Sequence, residues 1–166
     1  MLLFDDETLK EVGRFAVQFS VLDDLISALA ALVLECGEFE TAQSLTAGLT
    51  TGRKLELMSD VCKSLAKRYP LMQHKELLKQ LGEAKKLVDD RNTVIHGSLT
   101  IDRHECLVAQ SRKGTVALTP DKLSAMVRRI ERTTHGLATE YLEFMDAIHR
   151  AREAASKKRT APLSRR

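Results

Sequence analysis

The sequence predicts a single all-α domain, an up-and-down four-helix bundle with a small β-hairpin between the third and fourth helices. Three observations lead to this prediction. Long stretches repeat apolar residues every three or four positions, as amphipathic helices do. The 166 residues include only three prolines, so strong helix breakers are far apart. One short region changes to β-branched residues around a glycine-containing turn, which is typical of a hairpin.

The first helix is expected to begin at Asp5 or Asp6, because either side chain can cap an N-terminus. Its apolar residues are spaced alternately three and four positions apart in one continuous stripe. They are Val12, Phe15, Phe19, Leu22, Ile26, Leu29 and Val33. We expect Gly37 to end this helix, and residues 38–52 to form a connector with at most one short helical turn.

Two further helices follow. The second is predicted over about 53–69 and ends at Pro70. Its apolar face consists of Leu55, Met58, Cys62, Leu65 and Tyr69. The third is predicted over about 74–96, with Gly97 as a left-handed C-terminal cap. The apolar residues that it is expected to bury are Leu77, Leu81, Ala84, Val88 and Ile95.

A hairpin and a long helix complete the predicted domain. Two short apolar runs flank the turn at residues 111–114 and indicate the hairpin. Thr119 followed by Pro120 is a helix-start signal, and the fourth helix is predicted to continue to about Ala155. Its apolar stripe is Leu123, Val127, Ile130, Thr134, Leu137, Tyr141, Met145 and Ile148. The helical domain therefore spans residues 1–155, and residues 156–166 are expected to be a basic, disordered tail.

Composition indicates a small cytoplasmic protein. A chain of 18.6 kDa suits one compact domain. Its three cysteines form no CxxC pair, which favours a reducing compartment over a disulfide framework. Acidic residues at positions 5–7 argue against a signal peptide, and we find no apolar run of the ~20 residues that a membrane span needs. The expectation is a cytoplasmic protein that does not enter the membrane.

Charge is distributed unevenly along the chain. Residues 150–166 hold seven basic residues and one acidic residue, a net charge of +6, which leaves −3 for residues 1–149. A basic end of this kind is usually a solvated tail, but it can also add sequence-independent affinity for RNA. There is no aromatic-rich surface for stacking bases, so any RNA substrate is expected to be selected by shape or by delivery in a complex.

The residues that can carry chemistry lie at the end of the third helix, in the stretch KKLVDDRNTVIHGSL (85–99). Asn92 and His96 are four positions apart and share one helix face, whereas Arg91 and His96 are separated by about 140°. We expect them to converge only if the backbone leaves the helix near His96, if the long arginine side chain reaches across, or if a twofold axis pairs two sets. Histidine can transfer protons near neutral pH and a guanidinium can bind a phosphate, so the three residues suit RNA cleavage.

Simpler interpretations of these residues remain open. Basic side chains are favoured at helix C-termini by the helix dipole, and the neighbouring Asp89 and Asp90 can pair with Arg91. Asp23 and Asp24 on the first helix are expected either to be solvated or to line the same cleft.

A zinc site is a weaker alternative. His104 and Cys106 share one strand face, but zinc would need two further ligands. We therefore expect no metal and no cofactor.

At Arg91 through His96, RNTVIH, the sequence resembles the HEPN superfamily (higher eukaryotes and prokaryotes nucleotide-binding domains). Its ribonuclease members have an arginine, often followed by a polar residue, and a histidine several positions later. The order of the helices, the glycine after the histidine and the long last helix are similar too. The resemblance covers roughly residues 7–150, but only about seven residues carry its specificity.

The resemblance implies a metal-independent endoribonuclease that acts as a homodimer and leaves a cyclic phosphate. Arg91 would bind the phosphate, His96 would be the acid or base, and Asn92 would assist. It further implies a toxin or phage-defence effector with a nucleotidyltransferase-like antitoxin as partner. An additional acidic and lysine motif of some members is not evident, since ELMSD (56–60) lacks the lysine. HEPN domains without nuclease activity exist, so the alternative is a non-catalytic interaction or nucleotide-binding module that acts as a dimeric partner in a toxin–antitoxin or regulatory complex.

Overall fold

The computed structural model describes residues 5–33, 44, 46–68, 74–101, 107–112 and 114–160. These residues form a mostly helical bundle with a small antiparallel sheet between the third and fourth helices, which confirms the predicted all-α class in outline. The helices are α1 (Asp6–Val33), α2 (Thr51–Arg68), α3 (His74–His96) and α4 (Pro120–Thr160). The strands are β1 (Ser98–Ile101), β2 (Leu107–Ser111) and β3 (Gly114–Ala117).

Short polar side chains cap the helices where the sequence indicates. The Thr8 N–H donates to Asp5 Oδ1 at 2.6 Å at the start of α1, and this hydrogen bond holds the pKa of Asp5 below its ordinary value. At α4 the Lys122 N–H donates to Thr119 Oγ1 at 3.4 Å. Thr50 caps α2, so this helix begins at Thr51, two residues earlier than predicted.

The helices surround one core, with α2 and α4 each packed against both α1 and α3. Asp90 on α3 pairs with Arg129 on α4 at 3.0 Å. Gln80, earlier on α3, lies beside Gly136, later on α4, where a Cβ would be 2.9 Å from Gln80 Oε1. The α3 and α4 axes are therefore antiparallel. The atoms near that Cβ belong to the end of the flexible Gln80 side chain, which can move aside, so this contact does not require a glycine at position 136.

The directions of α1 and α2 do not alternate, as those of consecutive helices in an up-and-down bundle would. Thr51 donates to Asp23 Oδ1 at 2.7 Å, and one turn further along both helices Lys54 Nζ donates to Ser27 Oγ at 2.8 Å. Both pairs advance in the same direction, so α1 and α2 run parallel at this contact. The predicted up-and-down order was wrong for this pair because sequence periodicity carries no information about how a connector returns.

Most of the predicted apolar stripes form the core. Large side chains that are fully buried include Phe15, Leu22, Ile26, Leu55, Met58, Leu77, Leu123, Ile130, Leu137 and Tyr141. Two expectations fail. Ile95, predicted to be buried, is 40% exposed. On α4, Thr133 and Phe144 are buried, whereas the predicted Thr134 and Met145 are only partly buried. The expected ends at Gly37 and Pro70 lie outside the described residues.

The predicted hairpin is one part of a three-stranded sheet with the order β1-β2-β3. β2 and β3 pair around the turn as expected, from Val108 opposite Ala117 to Ser111 opposite Gly114, where Gly114 has a φ of +152°. The first strand, β1, was not predicted, because Ser98–Ile101 is short and follows the helix after a single glycine.

The last helix is longer than expected and the first is more apolar. α4 ends at Thr160 instead of about Ala155, and residues 161–166 lie outside the described part of the chain. α1 is long and apolar enough to cross a membrane by length and composition, contrary to the expectation that the chain holds no such stretch. Core helices of soluble proteins and signal sequences near an N-terminus pass the same test, and 39% of this apolar stretch is buried. α1 contributes Phe15, Leu22 and Ile26 to the core.

Candidate functional site

Arg91, Asn92 and His96 meet at the C-terminal end of α3. Arg91 Nη1 lies 3.0 Å from His96 Nε2 and donates to Asn92 Oδ1 at 3.1 Å. Asn92 and His96 are exposed and Arg91 is partly exposed, so all three are accessible to a ligand in solution. The sequence therefore identified a set of residues that the fold does bring together.

The way in which they converge differs from the main expectation. α3 remains helical through His96, so the backbone does not leave the helix before the histidine. The length of the arginine side chain is what closes the gap of about 140° between Arg91 and His96. Within one chain, no second subunit is needed to make this contact.

An aromatic ring on α1 supports the guanidinium. The Arg91 Cζ atom lies 5.6 Å from the centroid of the Phe19 ring, within the range of a cation–π interaction. Phe19 is 6% exposed and belongs to the core, which makes it a rigid support. The guanidinium thus contacts both the Phe19 ring and two polar acceptors, Asn92 Oδ1 and His96 Nε2.

The contact also indicates the protonation state of His96. Arginine has donors and no acceptor, so Nε2 must accept the hydrogen bond from Arg91. In this arrangement the imidazole is neutral and its proton is on Nδ1. The Nε2 lone pair, which a general base would use, is therefore occupied by Arg91.

Asp90, one of the two acidic neighbours that could pair with Arg91, forms its ion pair elsewhere. The Asp90 carboxylate lies 3.0 Å from Arg129 and so forms an ion pair with α4. Asp23 Oδ1 accepts a hydrogen bond from Thr51 at 2.7 Å. Asp23 also lines the cleft beside Arg91, which was one of the two positions expected for Asp23 and Asp24. Asp24 is exposed.

A cleft of about 680 Å³ extends from Arg91 and Asn92 between α1, the N-terminus of α2 and α3. Basic and acidic side chains both line it. Glu56 is held by Lys85 at 3.0 Å and by Arg53 at 2.8 Å, and these contacts keep its pKa below the ordinary value. Because Glu56 partly neutralises both of these cations, Lys54 and Arg91 are the cleft cations without a carboxylate ion pair among the described contacts.

Lys54 is the functional candidate that sequence reasoning missed. It is only 9% exposed, and its ammonium donates to the neutral hydroxyl of Ser27 at 2.8 Å. A signal was present in the sequence: Lys54 is four and eight residues before Met58 and Cys62, which places a charge on the buried stripe of α2. Lysine side chains are rarely this buried unless they are paired, and here the contact is to a neutral hydroxyl.

The turn after His96 is fixed by close packing on the sheet. A Cβ at Gly97 would lie 2.3 Å from the Thr93 carbonyl oxygen and 2.9 Å from that of Gln110. The Thr93 hydroxyl also lies 2.8 Å from Ser111 Oγ on β2. Gly97 is therefore required by a close backbone approach, and the predicted left-handed conformation was wrong, because among the described glycines only Gly114 has a positive φ.

His104 and Cys106, the residues of the zinc alternative, lie outside the described residues. Within the described ranges, no group of three or more histidine, cysteine, aspartate or glutamate side chains is arranged to hold a metal ion.

Comparisons of this chain with protein-family models, with curated proteins and with solved structures found no match. The functional assignment therefore depends on the local geometry and on the short motif from Arg91 to His96.

Proposed function

We propose that this protein is a HEPN-type, metal-independent endoribonuclease that works as a homodimer in the cytoplasm. The observation that carries the proposal is the 3.0 Å contact between Arg91 and His96 at an accessible helix end. A phosphate binder and a proton carrier lie in direct contact there, beside a cleft that also holds the Lys54 ammonium.

The proposed reaction begins when a phosphodiester binds the Arg91 guanidinium. The phosphate competes with His96 for the guanidinium donors, and its binding releases the Nε2 lone pair. A neutral imidazole then accepts the proton of the 2′-hydroxyl while the 2′-oxygen forms a bond to phosphorus. The bond from phosphorus to the 5′-oxygen breaks, and a protonated imidazole delivers a proton to that leaving oxygen. The products are a 2′,3′-cyclic phosphate and a 5′-hydroxyl end.

The reaction needs one base and one acid, whereas each chain offers a single His96 at this site. A homodimer supplies both imidazoles, one from each copy. Asn92 acts in this scheme as a positioning residue, because its carbonyl oxygen holds Arg91 and not the imidazole. We further propose that the enzyme is a toxin or phage-defence effector, restrained by a nucleotidyltransferase-like antitoxin.

The test is incubation of the purified protein with total RNA, followed by mapping of the ends produced. His96→Ala is expected to abolish cleavage without loss of fold, since the side chain is exposed. The matched control is His149→Ala, which removes a 74% exposed histidine on α4 and should leave cleavage unchanged. EDTA should have no effect, and cleavage retained in His96→Ala would refute the mechanism.

A non-catalytic role is the competing proposal. Arg91 Nη1 already has two acceptors within the chain, so the set is internally satisfied and can serve as a helix cap. The bundle would then bind a partner protein or a nucleotide as a dimeric module in a toxin–antitoxin or regulatory complex. Binding of RNA without new ends in the mapping experiment would favour this role.

A further inference from the structure

A buried ammonium without a countercharge lines the cleft beside Arg91. Lys54 is only 9% exposed, yet it belongs to the wall of this cleft of about 680 Å³. Among the described residues, no carboxylate forms an ion pair with Lys54, and its ammonium donates to the neutral hydroxyl of Ser27. Burying a charge is costly unless the charge is paired. An anion that entered the cleft would therefore relieve a cost that the fold otherwise bears.

The hydrogen bonds around Lys54 fix its ammonium and leave part of it unused. The Ser27 hydroxyl donates its own hydrogen to the Asp23 carbonyl oxygen at 2.8 Å, so its oxygen accepts from Lys54 Nζ, also at 2.8 Å. The Asp23 carboxylate lines the same cleft, but it accepts from Thr51. An ammonium has three donors, and Ser27 takes one of them. In the part of the chain that the structure describes, two Lys54 donors are therefore left for a ligand.

The start of α2 adds backbone donors to the same cleft. Thr51 and Gly52 line it, and the first internal hydrogen bond of the helix runs from the Lys54 N–H to the Thr50 carbonyl oxygen. The N–H groups of residues 51 and 52 precede this bond, and the helix dipole favours an anion near them. A Cβ on Gly52 would meet nothing within 4 Å, so the backbone is uncovered there. The helix end alone selects no ligand, whereas Lys54 adds a full positive charge beside it.

We propose that Lys54 and the first turn of α2 form a second phosphate subsite, separate from the Arg91 guanidinium. Phosphate oxygens accept several hydrogen bonds, which suits an ammonium beside backbone N–H groups. Arg91 lines the same cleft, so a ligand with two phosphates can contact both groups. Two sources share this chemistry: the linkage next to the scissile one in an RNA strand, and the phosphate of a free nucleotide. The RNA source rests on the proposed function, whereas the subsite itself does not.

The test is the affinity of the full chain for a short 2′-O-methyl oligoribonucleotide, which keeps the phosphates but has no 2′-hydroxyl to attack. Lys54→Met removes the charge and keeps the apolar stem, and it is expected to weaken binding on the order of tenfold or more. The logarithm of the binding constant should also fall less steeply with the logarithm of salt concentration, by about 0.7 in slope for one phosphate of a single strand. Adenosine 5′-monophosphate is titrated in parallel. A dependence on Lys54 for this probe alone would identify a free nucleotide as the source of the phosphate.

Two control variants separate the charge of Lys54 from its contact with α1. Ser27→Ala removes the neutral acceptor and keeps the ammonium, so binding should be retained. Lys63→Met removes an exposed cation of α2 that pairs with Asp60 outside this cleft, and the affinity should not change. Circular dichroism verifies that each variant folds. Equal losses in Lys54→Met and Ser27→Ala, with an unchanged salt slope, would overturn the inference, because Lys54 would then only join α2 to α1.

NMR on the unsubstituted chain tests the subsite without relying on a variant. The backbone amide signals of Thr51 and Gly52 should shift and saturate as either probe is added, and the signal of Gly82 on α3 should not. Signals at Thr51 and Gly52 that stay unshifted with both probes would overturn the inference, even if the protein cleaves RNA. Binding that depends on Lys54 without cleavage of total RNA would leave the subsite standing and would count against the proposed ribonuclease.

Discussion

Arg91 Nη1 and His96 Nε2 are 3.0 Å apart, although the two residues are five positions apart on an unbroken helix. The contact requires a long side chain at the first position and an acceptor at the second. It joins the group that can bind a phosphate to the group that can move a proton, and in this chain each satisfies the other. Binding of an anion by Arg91 is therefore coupled to the availability of His96.

The first prediction concerns the imidazole itself. In the protein without RNA, nitrogen-15 NMR should show His96 with its proton on Nδ1, because Nε2 accepts from Arg91. Arg91→Ala removes this donor, and the proton should then redistribute toward Nε2. His149, 74% exposed on α4, is an internal reference whose signals should not change. An unchanged His96 spectrum in the variant would show that the contact is absent in solution.

The second prediction separates the geometry of the arginine from its charge. Arg91→Lys keeps the positive charge but loses the planar fork that binds two phosphate oxygens. The cleavage rate of RNA should fall on the order of 100-fold, as it does when a transition-state donor is removed. Arg128→Lys, an exposed position on α4, is the control and should be neutral. A lysine variant as active as the natural protein would mean that Arg91 acts only as a surface charge.

A third prediction concerns the support beneath Arg91. Phe19→Leu keeps an apolar side chain in the core but removes the ring 5.6 Å from the guanidinium. Stability should fall by about 1 kcal/mol, and the KM for RNA should rise more than kcat falls, because Arg91 is less well positioned. Phe15→Leu is the matched control, since Phe15 is fully buried on the same helix and should affect stability alone. Equal kinetic effects of the two substitutions would exclude a positioning role for Phe19.

The sequence predicts the helices well because burial repeats at the helical period, and Phe15, Leu22 and Leu77 all lie where the spacing places them. It fails where a feature depends on contacts between distant segments. The direction of α2 and the pairing of β1 with β2 are set by tertiary packing, which a local period does not encode. The candidate site was found because its residues are close in sequence. Lys54 was missed because its burial comes from packing against Ser27 on another helix.

The fourth prediction tests why Gly97 follows the histidine. Gly97→Ala would place a Cβ 2.3 Å from the Thr93 carbonyl oxygen, so the turn between α3 and β1 must shift. We expect a loss of about 1–3 kcal/mol in the free energy of unfolding, measured with urea. Gly82→Ala is the matched control, because nothing lies within 4 Å of a Cβ there. In the middle of α3 that change should stabilise by about 0.5–1 kcal/mol. Similar effects at both glycines would contradict the close approach at Gly97.

The last prediction is a pH dependence that arises in the core. Burial raises the pKa of the Cys62 thiol from 9.0 to about 11. The raised value means that the folded protein keeps this proton while the unfolded chain loses it, so the thiol contributes its full stability below pH 9. Between pH 9 and 11 the unfolded state binds fewer protons, and the free energy of unfolding should fall by ~1.4 kcal/mol per pH unit.

Urea unfolding at several pH values from 8 to 11 measures this slope. Cys62→Ala removes the ionisable group, so the variant should begin less stable, because a small cavity replaces the sulfur, but should lose less stability as the pH rises. The difference between the two proteins isolates Cys62 from the lysines and tyrosines that titrate over the same range. Parallel pH profiles for the two proteins would mean that the thiol is accessible to water and ionises equally in both states.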